Sequence, residues 1–271
     1  MADLTALHLE ASKRLRRTSS TLKEREMILR RLPCKPEELT REIFDPWWIG
    51  RQMKANGELK AARSVATDLS HLKTFYKWAL AERHIASDPV AHAKAPFQPK
   101  SRPRPTREPD LVQAIGKANP AMKAMLALGA MAGLRSSEIA RIRWDDLDIQ
   151  AGVMRVRHGK GNKDRSVPLS DDLLEALGAS GSGLIVLTST GKSMSPKAVS
   201  ARIGRYLRSQ GIDSTAHKLR ARYATRFLAA TGDLAATAEV LGHASVQTTT
   251  AYTIASSDTM RRGAAAAGRI G

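Results

Sequence analysis

Between Ala91 and Arg107 the chain carries Pro96, Pro99, Pro103 and Pro105. Proline surrenders its amide donor, fixes its own φ and pushes the residue before it out of helical geometry. No helix or central strand can run through such a stretch, so it divides the chain. The expected organisation is a helical unit over residues 1–92, a linker over 93–107 and a second unit over 108–271. The linker also holds Lys94, Lys100, Arg102, Arg104 and Arg107 without one acidic residue. Proline keeps such a segment extended and semi-rigid, so it reads equally as a cationic strap or a solvated tether.

The basic excess extends over the whole chain. A net charge of +18 over 271 residues, with a pI near 10.5, exceeds what solubility requires and points to a polyanionic partner, with a ribosomal-type or membrane-surface basic protein as the other reading of composition alone. At 42% hydrophobic and 26% charged, the chain can bury a core and is not a disordered polyelectrolyte. Cys34 is the sole cysteine, which excludes a disulfide framework and a cysteine-rich metal site. No apolar run reaches membrane-spanning length, and the start lacks the n-region and h-region of a signal peptide. A reduced, cytoplasmic setting without membrane attachment is expected.

Residues 1–90 read as helices. Thr21 to Leu32 stops at Pro33, Pro36 to Glu42 opens a short helix, and Phe44 to Met53 places Pro46 at a helix start. The clearest is Ala61 to Arg83, where Val65, Leu69, Leu72, Tyr76 and Ala79/Leu80 recur every three to four residues and make one buried stripe. The opposite face then offers Arg63, Thr67, His71 and Thr74 to solvent or to DNA. In the second unit Pro120 to Ala132 reads as a buried helix broken by Gly133-Leu134-Arg135, with Ser136/Ser137 and Glu138 capping the next. Gly152 to Val167 alternates as a hairpin turning at Gly159-Lys160-Gly161-Asn162. Asp171 to Leu177 is a short helix and Leu184 to Thr188 a short strand. From Ser195, as an N-cap, the chain is helical to about Ala255. The fold class is mainly α with a small hairpin or three-stranded sheet.

Two familiar chemistries fail on spacing. Gly191-Lys192-Ser193 would need a glycine where Val186 stands to form a phosphate-binding loop. Asp145, Asp146 and Asp148 are crowded into four positions, a turn-like cluster rather than the converging carboxylates of a two-metal nuclease. The histidines show no paired zinc-ligand spacing. No metal or cofactor is expected.

What remains is a basic run, Lys192 to Arg226, with Asp213 its one acid. His217 and Arg220 lie three apart on one helical face. Gly242-His243 follows at a helix end, and Tyr252 stands in a polar run. Together with Ala132-Gly133-Leu134-Arg135-Ser136-Ser137-Glu138-Ile139, Gly159-Lys160-Gly161-Asn162-Lys163-Asp164-Arg165, His217-Lys218-Leu219-Arg220 and Leu241-Gly242-His243, these residues resemble the successive motifs of the tyrosine recombinases, the phage-integrase family. The likeness covers about residues 108–260, in order and at the family's spacing. Ala61 to Val90 resembles, less specifically, the end of that family's helical core-binding domain.

The resemblance implies a helical core-type DNA-binding domain followed by a mixed α/β catalytic domain. It implies that Tyr252 attacks a phosphodiester to give a 3′-phosphotyrosine and that Arg135 and Arg220 meet the phosphate oxygens. Lys160 matches the general acid, His217 the general base and His243 a hydrogen-bond donor to the phosphate. Further DNA contacts are expected from Arg63, Thr67, His71, Lys163 and Arg202. The partners implied are double-stranded DNA, a homotetramer on paired sites, and accessory DNA-bending or directionality proteins. Ser256 to Gly271 resembles the segment that docks on a neighbouring protomer. Integration and excision of a phage or mobile element is the leading role. A Xer-type or transposon resolvase would use the same residues, a DNA-binding regulator would retain them without cleavage, and a type IB topoisomerase would share the chemistry.

Overall fold

The computed structural model describes residues 3–15, 19–97, 104–157, 164–178 and 181–243. Lys160, Lys163 and Tyr252 lie outside the described residues, as do the hairpin turn, the expected helical run beyond His243 and the tail from Ser256. The chain folds as two compact units, residues 1–100 and 101–271.

Among the described residues the first unit has four α-helices, α1 (Leu4–Arg14), α2 (Ser19–Leu29), α3 (Arg41–Arg51) and α4 (Ala62–Ala81), and one turn of 3-10 helix at Pro36–Glu38, shorter than the expected Pro36 to Glu42 helix. The expected stripe on α4 is buried at Val65, Leu69, Leu72, Tyr76 and Ala79, whereas Leu80 is exposed. The buried sector is wider than one stripe because α4 packs against both α1 and α2. His71 and Phe75 are therefore buried as well, which corrects the placing of His71 on an open face: its ring lies 3.5 Å from Glu24 on α2. Arg63, Thr67 and Thr74 do face solvent. Pro46 lies inside α3 rather than at its start. The missing hydrogen bond there is outweighed by burial of Phe44 and Trp48, whose stacked rings lie 5.7 Å apart one turn from each other.

The second unit sets a small sheet and a turn-rich segment against helices. It contains α5 (Glu108–Gly116), α6 (Pro120–Ala130), α7 (Ser136–Ile139), α8 (Asp171–Leu177), α9 (Pro196–Ser209), α10 (Ala216–Thr231) and α11 (Leu234–Leu241). Its strands are β1 (Leu147–Asp148), β2 (Val153–Val156) and β3 (Arg165–Pro168), in antiparallel order β1-β2-β3. Val156 pairs with Arg165 and Val153 with Pro168. Side chains alternate across the pleat, so Met154, Val156, Arg165 and Val167 point inward while Arg155 and Ser166 point out. The apolar α6 is the central helix, and α10 crosses it where Gly129 leaves room for Leu219.

Leu184 to Thr188 forms no strand of its own. Leu184 bridges to Arg143 and Leu187 to Ser193, and Leu147–Asp148 supplies the third strand instead. In the neighbouring acidic cluster Asp146 is buried: it accepts from the Arg143 amide at 3.0 Å and pairs with Arg157 at 2.8 Å. Both ends of the proline-rich stretch are folded in. Val90 and Ala93 join the first core, while Thr106 is buried in the second unit and donates its amide to the Lys218 carbonyl on α10. Among the described residues no helix is long and apolar enough to cross a membrane.

Candidate active site

The site grows from a helix break. Gly133 ends the α6 segment with φ +65°, a conformation that L side chains rarely adopt, and the Tyr223 ring occupies the place where a Cβ would go. The chain turns there so that Arg135, not Ser136 or Ser137, becomes the N-cap residue of α7. Glu138, three residues on, reaches back to accept the Arg135 amide at 2.7 Å, which is half of a capping box. That backward reach pulls a carboxylate into the interior.

Three guanidinium groups surround it. Arg165 meets Glu138 as a fork, Nη1 to Oε1 at 2.8 Å and Nη2 to Oε2 at 2.9 Å. Arg135 Nη1 donates to Oε1 at 2.9 Å, and Arg220 Nη1 lies 3.7 Å from Oε2. Burial alone would raise the Glu138 pKa, but the bonds and charges of Arg165 and Arg135 outweigh it and hold the carboxyl at about 2. One carboxylate against three guanidinium groups leaves the pocket electropositive.

The same three arginines close the end of α11. A helix leaves its last carbonyls without intrahelical donors. Here His243 N bonds Ala238 O and Gly242 N bonds Glu239 O, with Gly242 left-handed at φ +62°, a Schellman ending. The next three carbonyls each receive one guanidinium: Val240 from Arg165 Nε at 2.8 Å, Leu241 from Arg220 Nη2 at 2.5 Å, and Gly242 from Arg135 Nη2 at 2.9 Å. Arg220 also donates to Gly133 O, tying this end to the glycine break. Cations at a helix C-terminus are favoured by its dipole. His243 is thus delivered at a helix end fastened to both arginine positions.

Exposure grades the three. Arg135 is 24% exposed, while Arg220 and Arg165 are 4% and 5% exposed. Arg135 spends two of a guanidinium's five donors on Glu138 and Gly242, so it can also address an incoming anion. His217 is exposed on the first turn of α10, whose N-cap Thr215 accepts the Lys218 amide, and Arg220 follows it one turn later. Arg202 on α9 is half-buried, with Nη1 3.9 Å from the Met194 sulfur.

Arg135, Arg220 and His243 are therefore held by one network. The sequence reading treated Glu138 only as a cap and left Arg165 without a role. The missed signal was the strand period: with Val167 inward, Arg165 two residues earlier must also point inward, and a buried arginine needs a partner.

The sequence profile of the Phage integrase family matches residues 105–258. The "Tyrosine recombinase XerC 2" of Ralstonia nicotianae is 31% identical over 284 residues, covering 94% of this chain and 82% of that protein. "Tyrosine recombinase XerC" of Azotobacter vinelandii is 35% identical over 210 residues, 71% of this chain and 70% of the relative. Among solved structures, the Tn1549 transposon integrase in complex with circular intermediate DNA superposes with a TM-score of 0.72 over 96% of this chain and 97% of that one. At 19% identity that likeness speaks to the fold. The class is that of enzymes that break and rejoin DNA strands. Within it, the chain belongs to the phage integrase family, the tyrosine recombinases.

Proposed function

We propose that Arg135, Lys160, His217, Arg220, His243 and Tyr252 form the site at which this recombinase cuts and rejoins DNA. The observation carrying the proposal is the single network that fastens both arginine positions to Glu138 and to the carbonyl end of α11. Attack on a phosphodiester adds charge to its non-bridging oxygens, and guanidinium forks neutralise that charge without reorganising. In this reading Tyr252 attacks phosphorus, Lys160 protonates the departing 5′-oxygen, His217 takes up the tyrosyl proton and His243 steadies a phosphate oxygen. The phosphotyrosine conserves the energy of the broken bond, so rejoining needs no nucleotide.

Residues 1–92 act as the DNA-gripping domain, with Arg63 and Thr67 on the exposed side of α4. A groove lined by Ser70, Lys73, Thr74, Lys77 and Lys94 extends that side. The basic linker follows the duplex, residues 108–271 cut it, and four copies on two sites exchange strands in sequential pairs. Integration and excision of a mobile element is the leading role. A Xer-type resolution role is favoured by the 31% and 35% identities to proteins named XerC. Purified protein tested on integration-site and dimer-resolution substrates separates the two.

A duplex retained from a randomised pool by the protein, then nicked beside the cut position, serves as a suicide substrate. The wild-type chain accumulates a covalent protein–DNA adduct. Tyr252→Phe binds the duplex nearly as well and forms none, and an adduct with Tyr252→Phe would remove the mechanism.

A further inference from the structure

We propose that Arg165 is a positioning residue of the cleavage site, a third arginine that acts through Glu138 and the end of α11, the partners that hold Arg135 and Arg220. The proposal rests on the reading of the site given above. Arg165 is the first residue of β3, at the foot of the strand leading back from the hairpin turn. Its side chain is 5% exposed, and its fork is spent on Glu138, through Nη1 and Nη2, while Nε donates to Val240 O. Each of those partners is one step from the proposed chemistry. Glu138 is also the acceptor for Arg135, and Val240 precedes Leu241 and Gly242, whose carbonyls hold Arg220 and Arg135.

Gly242 supports this assignment. A Cβ on Gly242 would stand 3.0 Å from both Cδ and Nη1 of Arg165, so the helix end closes directly over the Arg165 side chain. Arg165 therefore fixes two things at once: the carboxylate that orients Arg135 and the carbonyl end that delivers His243. A lysine in its place could meet Glu138 or Val240 O but lacks the fork that meets both.

The experiment uses the full chain, the selected nicked duplex, and the same duplex carrying a neutral methylphosphonate at the cut position. Arg165→Lys keeps the buried charge but loses the fork, so it is expected to fold with a lowered melting temperature, while single-turnover cleavage measured well below that temperature falls about 10- to 100-fold, the range seen when a group that orients ligating side chains is lost. On the methylphosphonate, where one anionic oxygen is gone, the deficit should shrink to within roughly threefold of wild type, because the arginines have less charge to meet. A second variant, Glu138→Gln with Arg165→Met, leaves the net charge unchanged and keeps the carbonyl partners of Arg220 and Arg135, and it should show the same pattern.

Cleavage by folded Arg165→Lys at the wild-type rate overturns the proposal. An equal deficit on both substrates does so too, because a merely structural loss would not distinguish them. If neither variant folds, Arg165 belongs to the stability of the unit rather than to the geometry of the site, and the proposal falls. Failure of the wild-type chain to form an adduct sinks the reading of the site itself, whereas adduct formation with an unimpaired Arg165→Lys sinks only the role given to Arg165.

Discussion

The ring of Tyr223 covers the α-carbon of Gly133 so closely that a Cβ there would lie 2.5 Å from Cδ1. That contact joins α10, which carries His217 and Arg220, to the break that turns the chain into Arg135. Because the Gly133 carbonyl also accepts from Arg220, the glycine sets the relation between the two arginine positions.

Gly133→Ala should be costly in two ways. The alanine would have to hold φ +65° and displace the Tyr223 ring, together about 2–4 kcal/mol. Urea denaturation of the full chain measures the loss, and adduct formation should fall with it. A stable, active Gly133→Ala would show that the ring moves aside freely.

Glu138 predicts the acid limb of stability. Its carboxyl is held at about 2 against an ordinary 4.5, because the arginine bonds and charges outweigh the penalty of burial. A depressed carboxylate stabilises the fold above the unfolded value and loses that contribution as pH falls through the folded one. About 3 kcal/mol present at neutral pH should therefore disappear between roughly pH 4.5 and 2. Glu138→Gln should be less stable than wild type at pH 7, with the gap closing toward pH 2. A constant gap across that window would refute the assignment.

A histidine in the first unit acts in the same direction at higher pH, though there the fold favours the neutral form. His8 on α1 is buried against Phe75 and Trp78, and Arg25 Nη1 lies 3.0 Å from its Nε2. Burial, and then the Arg25 charge, lowers its pKa to about 4 from 6.5. The fold wants this ring neutral, so the stabilisation is complete above pH 6.5 and is lost as pH falls toward 4, to the extent of about 3 kcal/mol. The near-ultraviolet signal of the tryptophans, three of which (Trp47, Trp48, Trp78) lie in this unit, should report the loss under mild urea. His8→Gln should flatten the dependence between those pH values.

Lys160 can be tested through its proton. Lys160→Ala should cleave the ordinary nicked duplex poorly, yet recover on a duplex whose leaving 5′-oxygen is replaced by sulfur, since a thiolate departs without protonation. The single-turnover rates on the two substrates decide it, and no recovery would place the general acid elsewhere.

Much of the molecule was legible from residue order. Proline chemistry marked the division, strand alternation found the hairpin, and Ser195 caps α9 through a bond from Ala198 N at 3.2 Å as expected. These signals are local, acting within a turn of helix or a pair of strands, where side-chain chemistry and backbone geometry meet directly. Errors came where packing from several sides overrode a local rule. His71 looked exposed because the α4 pattern shows one stripe, whereas α1 and α2 cover the helix on two sides. Pro46 looked like a helix start because propensity cannot weigh the burial of Phe44 and Trp48.

For the site the division is similar. Motif order put Arg135, Arg220 and His243 forward as parts of one site, and composition, with a net charge of +18, pointed to a polyanion. Only the tertiary structure decided how they are held: Glu138 and Arg165, 27 positions apart, meet as a buried fork, and three consecutive carbonyls of one helix end take three arginines from three different elements. Such a network has no sequence period. A buried charge must find its partner wherever the fold brings one, and that place is set by packing rather than by spacing along the chain.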